Sequence, residues 1–266
     1  MAAKQRLDAE LVRRGLARSR HHAQELVSAN RVLVGGLPAT KAATGVDAAA
    51  SVQVVGAAGG NDFVSRGGWK LSGALDALGG PRVAGRRCLD AGASTGGFTD
   101  VLLRRGASEV VAVDVGYGQL AWTLRNDERV RVLERTNVRS LSAADIGGPV
   151  QLVVADLSFI SLTVVLPALV GCTDPDGDLA LMVKPQFEVG RDRIGKGGVV
   201  RDQDARAGAV RSVAAAAQAL GWGSAGVVAS SLPGPAGNVE FFLWLRRDAP
   251  ALDDEALTRA VDVGPA

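Results

Sequence analysis

The chain has 266 residues, 47% of them hydrophobic and 22% charged, with a formal net charge of +2. That is the composition of a folded soluble protein with a full core, and it excludes a disordered polyelectrolyte. Two cysteines, Cys88 and Cys172, lie far apart inside apolar runs, so neither a disulfide framework nor a metal cluster is expected and the compartment is expected to be reducing, that is, cytoplasmic.

The opening residues MAAKQRLDAELVRRG have no apolar stretch before their charges, and no secretory signal is expected. Residues 1–41 hold eight basic side chains against three acids, a local excess that points to a polyanionic partner or, more blandly, to a solvated helix face. Apolar residues at 7, 11, 12 and 16 predict a short helix ending at Gly15. Ser19 then caps a second helix, with Ala23, Leu26 and Val27 on one face and Asn30 at its end. RVLVGGLPAT and SVQVV alternate as short strands. This order, carrying LVRRGLARSR and then VLVGG, resembles the ribosomal-protein-S4-like RNA-binding domain. The resemblance implies structured RNA as the partner. Arg18 and Arg20, which flank the helix cap, would be the first phosphate contacts, with Lys4, Arg6, Arg14, Arg31 and Lys41 around them. His21 and His22 are expected to be solvated.

The glycine-rich stretch GAAGGNDF marks a boundary. The expected division is an RNA-binding domain over 1–60, a linker over 61–66, a catalytic domain over 67–248 and a tail over 249–266. VSRGGWKLSGALDAL predicts a helix with Leu71, Leu75 and Leu78 packed inward. From residue 85 onward, strand-like and helix-like runs alternate, which predicts an α/β Rossmann-like domain with a mostly parallel sheet. The long apolar run at 150–172 is interrupted by Asp156 and Pro167, so it reads as a buried strand and a core helix rather than a membrane span.

Residues 88–99, CLDAGASTGGFT, are a strand ending in an acid and a glycine-rich turn, and Asp114 closes the next apolar run. Glycines at 92, 96 and 97 are expected to let backbone approach a ligand, while Asp114 sits where an acid can accept ribose hydroxyls. The cofactor-binding set is Asp90, Gly92, Ser94, Thr95, Gly96, Gly97, Phe98, Thr99, Asp114, Val115 and Asp156. The loop lacks the second early glycine of a dinucleotide fingerprint, which favours S-adenosylmethionine over NAD and leaves other nucleotide-binding α/β domains open.

Lys70, Asp156, Lys184 and Glu240 stand at element ends. Strand ends line the ligand crevice of an open α/β sheet, so Asp156 and Lys184 should face the reacting atoms. Glu240 opens its strand and can join them only if that strand runs antiparallel. With DLSFISL and VKPQFEVG after the strand ends, this K-D-K-E order resembles the FtsJ-like ribose 2′-O-methyltransferases. Together with the front domain, the chain from about residue 4 to 247 is similar to the TlyA family of ribosomal RNA 2′-O-methyltransferases, first called hemolysins. The resemblance implies methylation of cytidine riboses in 16S and 23S RNA of the ribosomal subunits, with no obligate protein partner. Lys184 would be the base that takes the hydroxyl proton, and Lys70 its positioning neighbour. The stretch NDFV departs from the family pattern, with Phe63 where a tryptophan is expected. The basic, glycine-rich segment 185–202 is long enough for an RNA-contacting lid. A non-catalytic assembly factor and a membrane-active hemolysin remain as alternatives.

Overall fold

The computed structural model describes residues 5–28, 31–35, 37–47, 50–54, 63–190 and 193–264. The chain divides into two compact units, Met1–Asp62 and Phe63–Ala266.

In the first unit, β1 (Gln5–Arg6) leads into α1 (Leu7–Arg13) and α2 (Arg20–Ser28). Four short strands follow: β2 (Val32–Val34), β3 (Leu37–Pro38), β4 (Gly45–Val46) and β5 (Val52–Val54). Leu7 and Leu11, one helical turn apart, meet Ala23, Leu26, Val27 and Val32 in a small core. The Ser19 hydroxyl accepts the His22 N–H at 3.1 Å, the predicted cap. α1 closes before Gly15, whose φ of +70° turns the chain out of the helix. The expected helix end at Asn30 and most of the glycine-rich boundary lie outside the described residues.

The second unit begins with α3 (Arg66–Leu78). It continues through β6 (Arg87–Ala91), α4 (Gly97–Arg104), β7 (Glu109–Val113), α5 (Trp122–Arg125), β8 (Val130–Leu133), β9 (Val150–Ala155), α6 (Leu162–Gly171), β10 (Thr173–Val183), α7 (Pro185–Glu188), α8 (Gln203–Ala219), β11 (Trp222–Ala229), β12 (Phe241–Arg247) and α9 (Asp254–Val263). Its seven-stranded sheet has the order β11-β12-β10-β9-β6-β7-β8. Only β12 opposes its neighbours, pairing antiparallel with β10 and β11. Each face of the sheet carries its own core. Leu89, Val111 and Val153 lie in one, and Cys88, Val110 and Leu152 in the other, as the two-residue period of a doubly covered sheet requires. The chain runs outward from β6 to β8 and then crosses to β9. The carboxyl ends of β6 and β9 therefore flank the switch point where such folds bind ligands.

The apolar run at 150–172 is β9 followed by α6, with Pro167 inside that helix. Among the described residues, no helix is long and apolar enough to cross a membrane. The expected tail is instead largely a helix. Asp253 caps α9, and Leu257, Ala260 and Val261 are buried at helical spacing. The residues just before it also pack down, with the Ser224 N–H donating to Pro250 O at 2.8 Å. Its apolar stripe is short and framed by acids, which hides it in the sequence.

Candidate active site

The glycine loop joins β6 to α4. Asp90 is fully buried beneath it, with Oδ2 accepting the Thr99 hydroxyl at 2.7 Å and Oδ1 left without a hydrogen-bond partner. Burial pushes its pKa up to about 7, and the nearby charges of Asp156 and Asp114 act in the same direction against the Thr99 hydrogen bond. Asp90 and Thr99 thus tie strand to helix below the loop and line neither of the hollows above it.

The three loop glycines also meet a close approach within the protein itself. A Cβ at Gly92 would lie 2.6 Å from the Asp156 carbonyl oxygen, one at Gly96 would strike Leu124, and one at Gly97 would strike Ser65. Glycine at these positions lets protein approach protein, and at 92 and 96 the positive φ demands it as well.

Two hollows meet at Ala93 and Ser94. The larger, about 340 Å³, is lined by Ser65, Gly67, Gly92, Thr95, Gly97, Phe98 and Asp156. The smaller, about 220 Å³, is walled by Asp114, Gly116, Gln119, Leu120, Val132 and Glu134. Asp114 accepts the Ser94 N–H at 2.8 Å and the Gly116 N–H at 2.7 Å, which fixes the loop and leaves carboxylate lone pairs free. Val115 is exposed and belongs to neither hollow, and Gly96 lines neither. Ser65, Gly67, Gln119 and Glu134 escaped the sequence. Of these, only Glu134 left a signal, as an acid closing a strand.

Beyond the loop lie two ion pairs. Lys184 Nζ stands 2.6 Å from Asp156 Oδ1, off hydrogen-bond alignment, and donates to the Ser158 hydroxyl at 3.0 Å. Lys70 Nζ donates to Glu240 Oε2 at 2.5 Å. The β10–β12 register ends at Val183 opposite Phe241, so the next positions are Lys184 and Glu240, which brings the pairs together across the ladder. The antiparallel course of β12 is what admits Glu240. Each lysine of the cluster thus has its own carboxylate. The pairs differ in access: the Lys70 and Glu240 side chains are sealed, but Asp156 keeps 27% of its side-chain surface.

Phe159 borders this cluster in a left-handed conformation, φ +64°, and is 91% exposed. Its ring lies 5.2 Å from that of Phe187, which in turn is 6.0 Å from Lys184 Nζ. A large apolar side chain held open in a strained backbone is a functional signal. The segment expected as a mobile lid is tied at both ends. Glu188 accepts the Ser161 hydroxyl at 2.5 Å and the Leu162 N–H at 2.8 Å, and Val200 N–H donates to Asn238 at 2.9 Å.

In the first unit, buried Asp8 takes Arg6 at 2.9 Å and Arg20 at 3.2 Å, and these bonds, that of Arg6 foremost, hold its carboxyl well below the usual carboxylate range. Glu10 binds Arg13 and Arg14 and is pushed down to about 2. Arg14 also donates to Ala50 O at 2.8 Å and is thereby engaged within the fold. Arg18 and Lys41 are exposed, Arg31 is half-buried, and Lys4 lies outside the described residues. His21 is exposed, but the His22 ring accepts the Arg18 N–H at 3.2 Å. In the second unit, Phe63 sets its ring edge-on to Trp69 at 5.0 Å, with the Arg104 guanidinium 4.9 Å from its centroid.

A family model for FtsJ-like methyltransferases matches residues 63–247, and one for the S4 domain matches residues 5–52. The chain is 61% identical to the 16S/23S rRNA (cytidine-2′-O)-methyltransferase TlyA of Mycobacterium tuberculosis, covering 100% of both chains. The chain belongs to the TlyA family of FtsJ-like methyltransferases. It is also 40% identical to YqxC of Bacillus subtilis, a protein named as an rRNA methyltransferase, over 97% of this chain and 93% of that one. A solved structure of a hemolysin-named protein from Streptococcus thermophilus superposes with a TM-score of 0.75 at 36% identity, covering 98% and 97% of the two chains. The cofactor of such methyltransferases, S-adenosylmethionine, fits the residues present. The smaller hollow offers apolar walls and an acid suited to a nucleoside, and the larger one opens from it toward Asp156 and Lys184.

Proposed function

We propose that this TlyA family member transfers a methyl group from S-adenosylmethionine to the ribose 2′-hydroxyl of cytidines in 16S and 23S ribosomal RNA. The observation that carries the proposal is the Lys184–Asp156 pair, open to the larger hollow and next in register to the sealed Lys70–Glu240 pair. A ribose hydroxyl is a weak nucleophile, so a base must take its proton while it is held in line with the methyl group. S-adenosylmethionine, when bound, supplies that electrophilic methyl. Lys184 must first release a proton to solvent; its neutral Nζ then accepts the hydroxyl proton, and Asp156 stabilises the ammonium that re-forms. Lys70 and Glu240 hold the Lys184 side of the site in place. Asp114 takes the cofactor ribose, and Ser94, Thr95 and Phe98 wall the larger hollow around the rest.

Residues 1–60 serve as the RNA-binding domain and 67–248 as the catalytic domain, with 61–66 between them. Arg18 and Lys41 lead the phosphate contacts, supported by the half-exposed Arg6 and Arg20. Phe159 stacks the target base, because a base drawn out of its helix needs an aromatic face beside the reacting hydroxyl.

The test is to map 2′-O-methylation on ribosomal RNA from cells with and without this chain. Cytidine marks should vanish with the chain, return with the parent sequence, and stay absent with Lys184→Ala. An unchanged methylation map would refute the proposal.

A further inference from the structure

Asn238 is 2% exposed, and a buried amide has to place both its donor and its acceptor. It places them on one stretch of backbone: Nδ2 donates to Gly198 O at 2.9 Å, and Oδ1 accepts the Val200 N–H at 2.9 Å. The side chain thus grips residues 198–200 as a neighbouring strand would. Lys196 and Arg201 flank the gripped stretch in sequence and Arg193 lies five residues before it, all exposed.

The main chain on either side of Asn238 serves the catalytic cluster. Asn238 O accepts the Gly234 N–H at 2.8 Å and closes a turn. That turn lies on the Glu240 carboxylate, since a Cβ at Gly234 would stand 2.6 Å from Glu240 Oε1. Arg66 fixes the same turn from α3 by donating to Pro233 O at 3.1 Å. One short segment therefore holds the basic stretch at 238 and the partner of Lys70 at 240.

We propose that Asn238 is a positioning residue coupling RNA phosphate binding at Arg193, Lys196 and Arg201 to the placement of the Glu240–Lys70 pair. The inference rests on the assignment of that pair to methyl transfer. Binding energy from a remote part of the substrate is then expressed in kcat as well as in affinity. A plain structural clamp would stabilise the fold without linking the two sites.

The test is a double-mutant cycle on methyl transfer to purified ribosomal subunits, reading kcat and KM separately. In the parent, Arg193→Ala, Lys196→Ala and Arg201→Ala together should raise KM and lower kcat. In Asn238→Ala the same three changes should raise KM alone, a coupling in kcat of at least about fivefold. Melting temperature and calorimetric S-adenosylmethionine binding monitor the fold. If Asn238→Ala does not fold, Asn238→Asp, which keeps an acceptor for Val200 N–H, carries the same cycle and criteria. Independent effects on kcat, or an effect on KM alone in the parent, would overturn the inference while leaving the catalytic assignment standing. Parental turnover by Lys70→Ala would instead remove that assignment, and the inference with it.

Discussion

Thr99 donates its hydroxyl hydrogen to Asp90 at 2.7 Å, and the second Asp90 oxygen is buried without a hydrogen-bond partner. Burial pushes this carboxyl up to about 7. Between about pH 4, where an unfolded aspartate ionises, and about pH 7, the folded chain keeps a proton that the unfolded chain has lost. The Asp90 contribution to stability therefore falls as pH rises through that window, by on the order of 4 kcal/mol, and levels off above it. Asp90→Asn should remove the effect. Melting curves taken from about pH 5 to about pH 8 should show the parent losing stability relative to the variant, and a difference constant with pH would be the contrary result.

Lys184→Ala should cost at least about 10²- to 10⁴-fold in kcat while S-adenosylmethionine binding by calorimetry stays near the parent value. Lys184→Arg separates the roles sharply, because a guanidinium keeps the charge beside Asp156 but cannot give up its proton in a protein. It should be nearly as inactive as alanine. Substantial turnover by the arginine variant would leave Lys184 as an electrostatic positioner and make Lys70 the next candidate for the base.

Phe159→Gly should move stability and activity in opposite directions. Glycine relieves a left-handed conformation that costs a phenylalanine about 1 kcal/mol, and the ring of so exposed a residue gives up little buried surface. The melting temperature should hold or rise slightly. Turnover on RNA should fall by about tenfold or more if the ring stacks a base. Parental turnover would deny the ring that role.

Arg18→Glu and Lys41→Glu should weaken RNA binding and flatten its salt dependence, by about 0.9 in log–log slope for each duplex phosphate that the protein no longer neutralises. Arg14→Glu should instead lower the melting temperature, because it sets a carboxylate against buried Glu10. Filter binding at several salt concentrations, paired with melts, distinguishes the two classes.

Gly92→Ala should destabilise the protein by at least about 1 kcal/mol, since the new Cβ meets the Asp156 backbone in a positive-φ residue. A normal melt with weakened cofactor binding would show that the added Cβ is felt by the ligand rather than by the Asp156 backbone.

The alternation of strands and helices and the loop were legible because their signals are local: β-branched runs buried on both faces, an acid at a strand end, glycines in a turn. Glu240 could be placed only conditionally, since its geometry depends on the direction of β12, and strand direction is written in tertiary pairing. The glycines at 96 and 97 announced close approach, and within the protein the side chains that come near are those of Leu124 and Ser65. Counting the arginines of the first unit gave its charge but not its disposition, because Asp8 and Glu10 engage four of them in intramolecular pairs. Phe159 reads as one more apolar residue in DLSFISL, and only its exposure and φ set it apart.

β11 is the outermost strand of the large sheet, and its free side is closed by the residues that follow β12. The Ser224 N–H is taken by Pro250 O, a Cβ at Gly223 would collide with the Ala249 carbonyl, and α9 packs over the same strand. A chain cut after residue 247, where the FtsJ-like match stops, would uncover this edge of β11 and free the Ser224 N–H, leaving an open strand edge at which another strand could add. The residues after β12 thus cap one of the two margins of the sheet, the β11 side, while β8 forms the other.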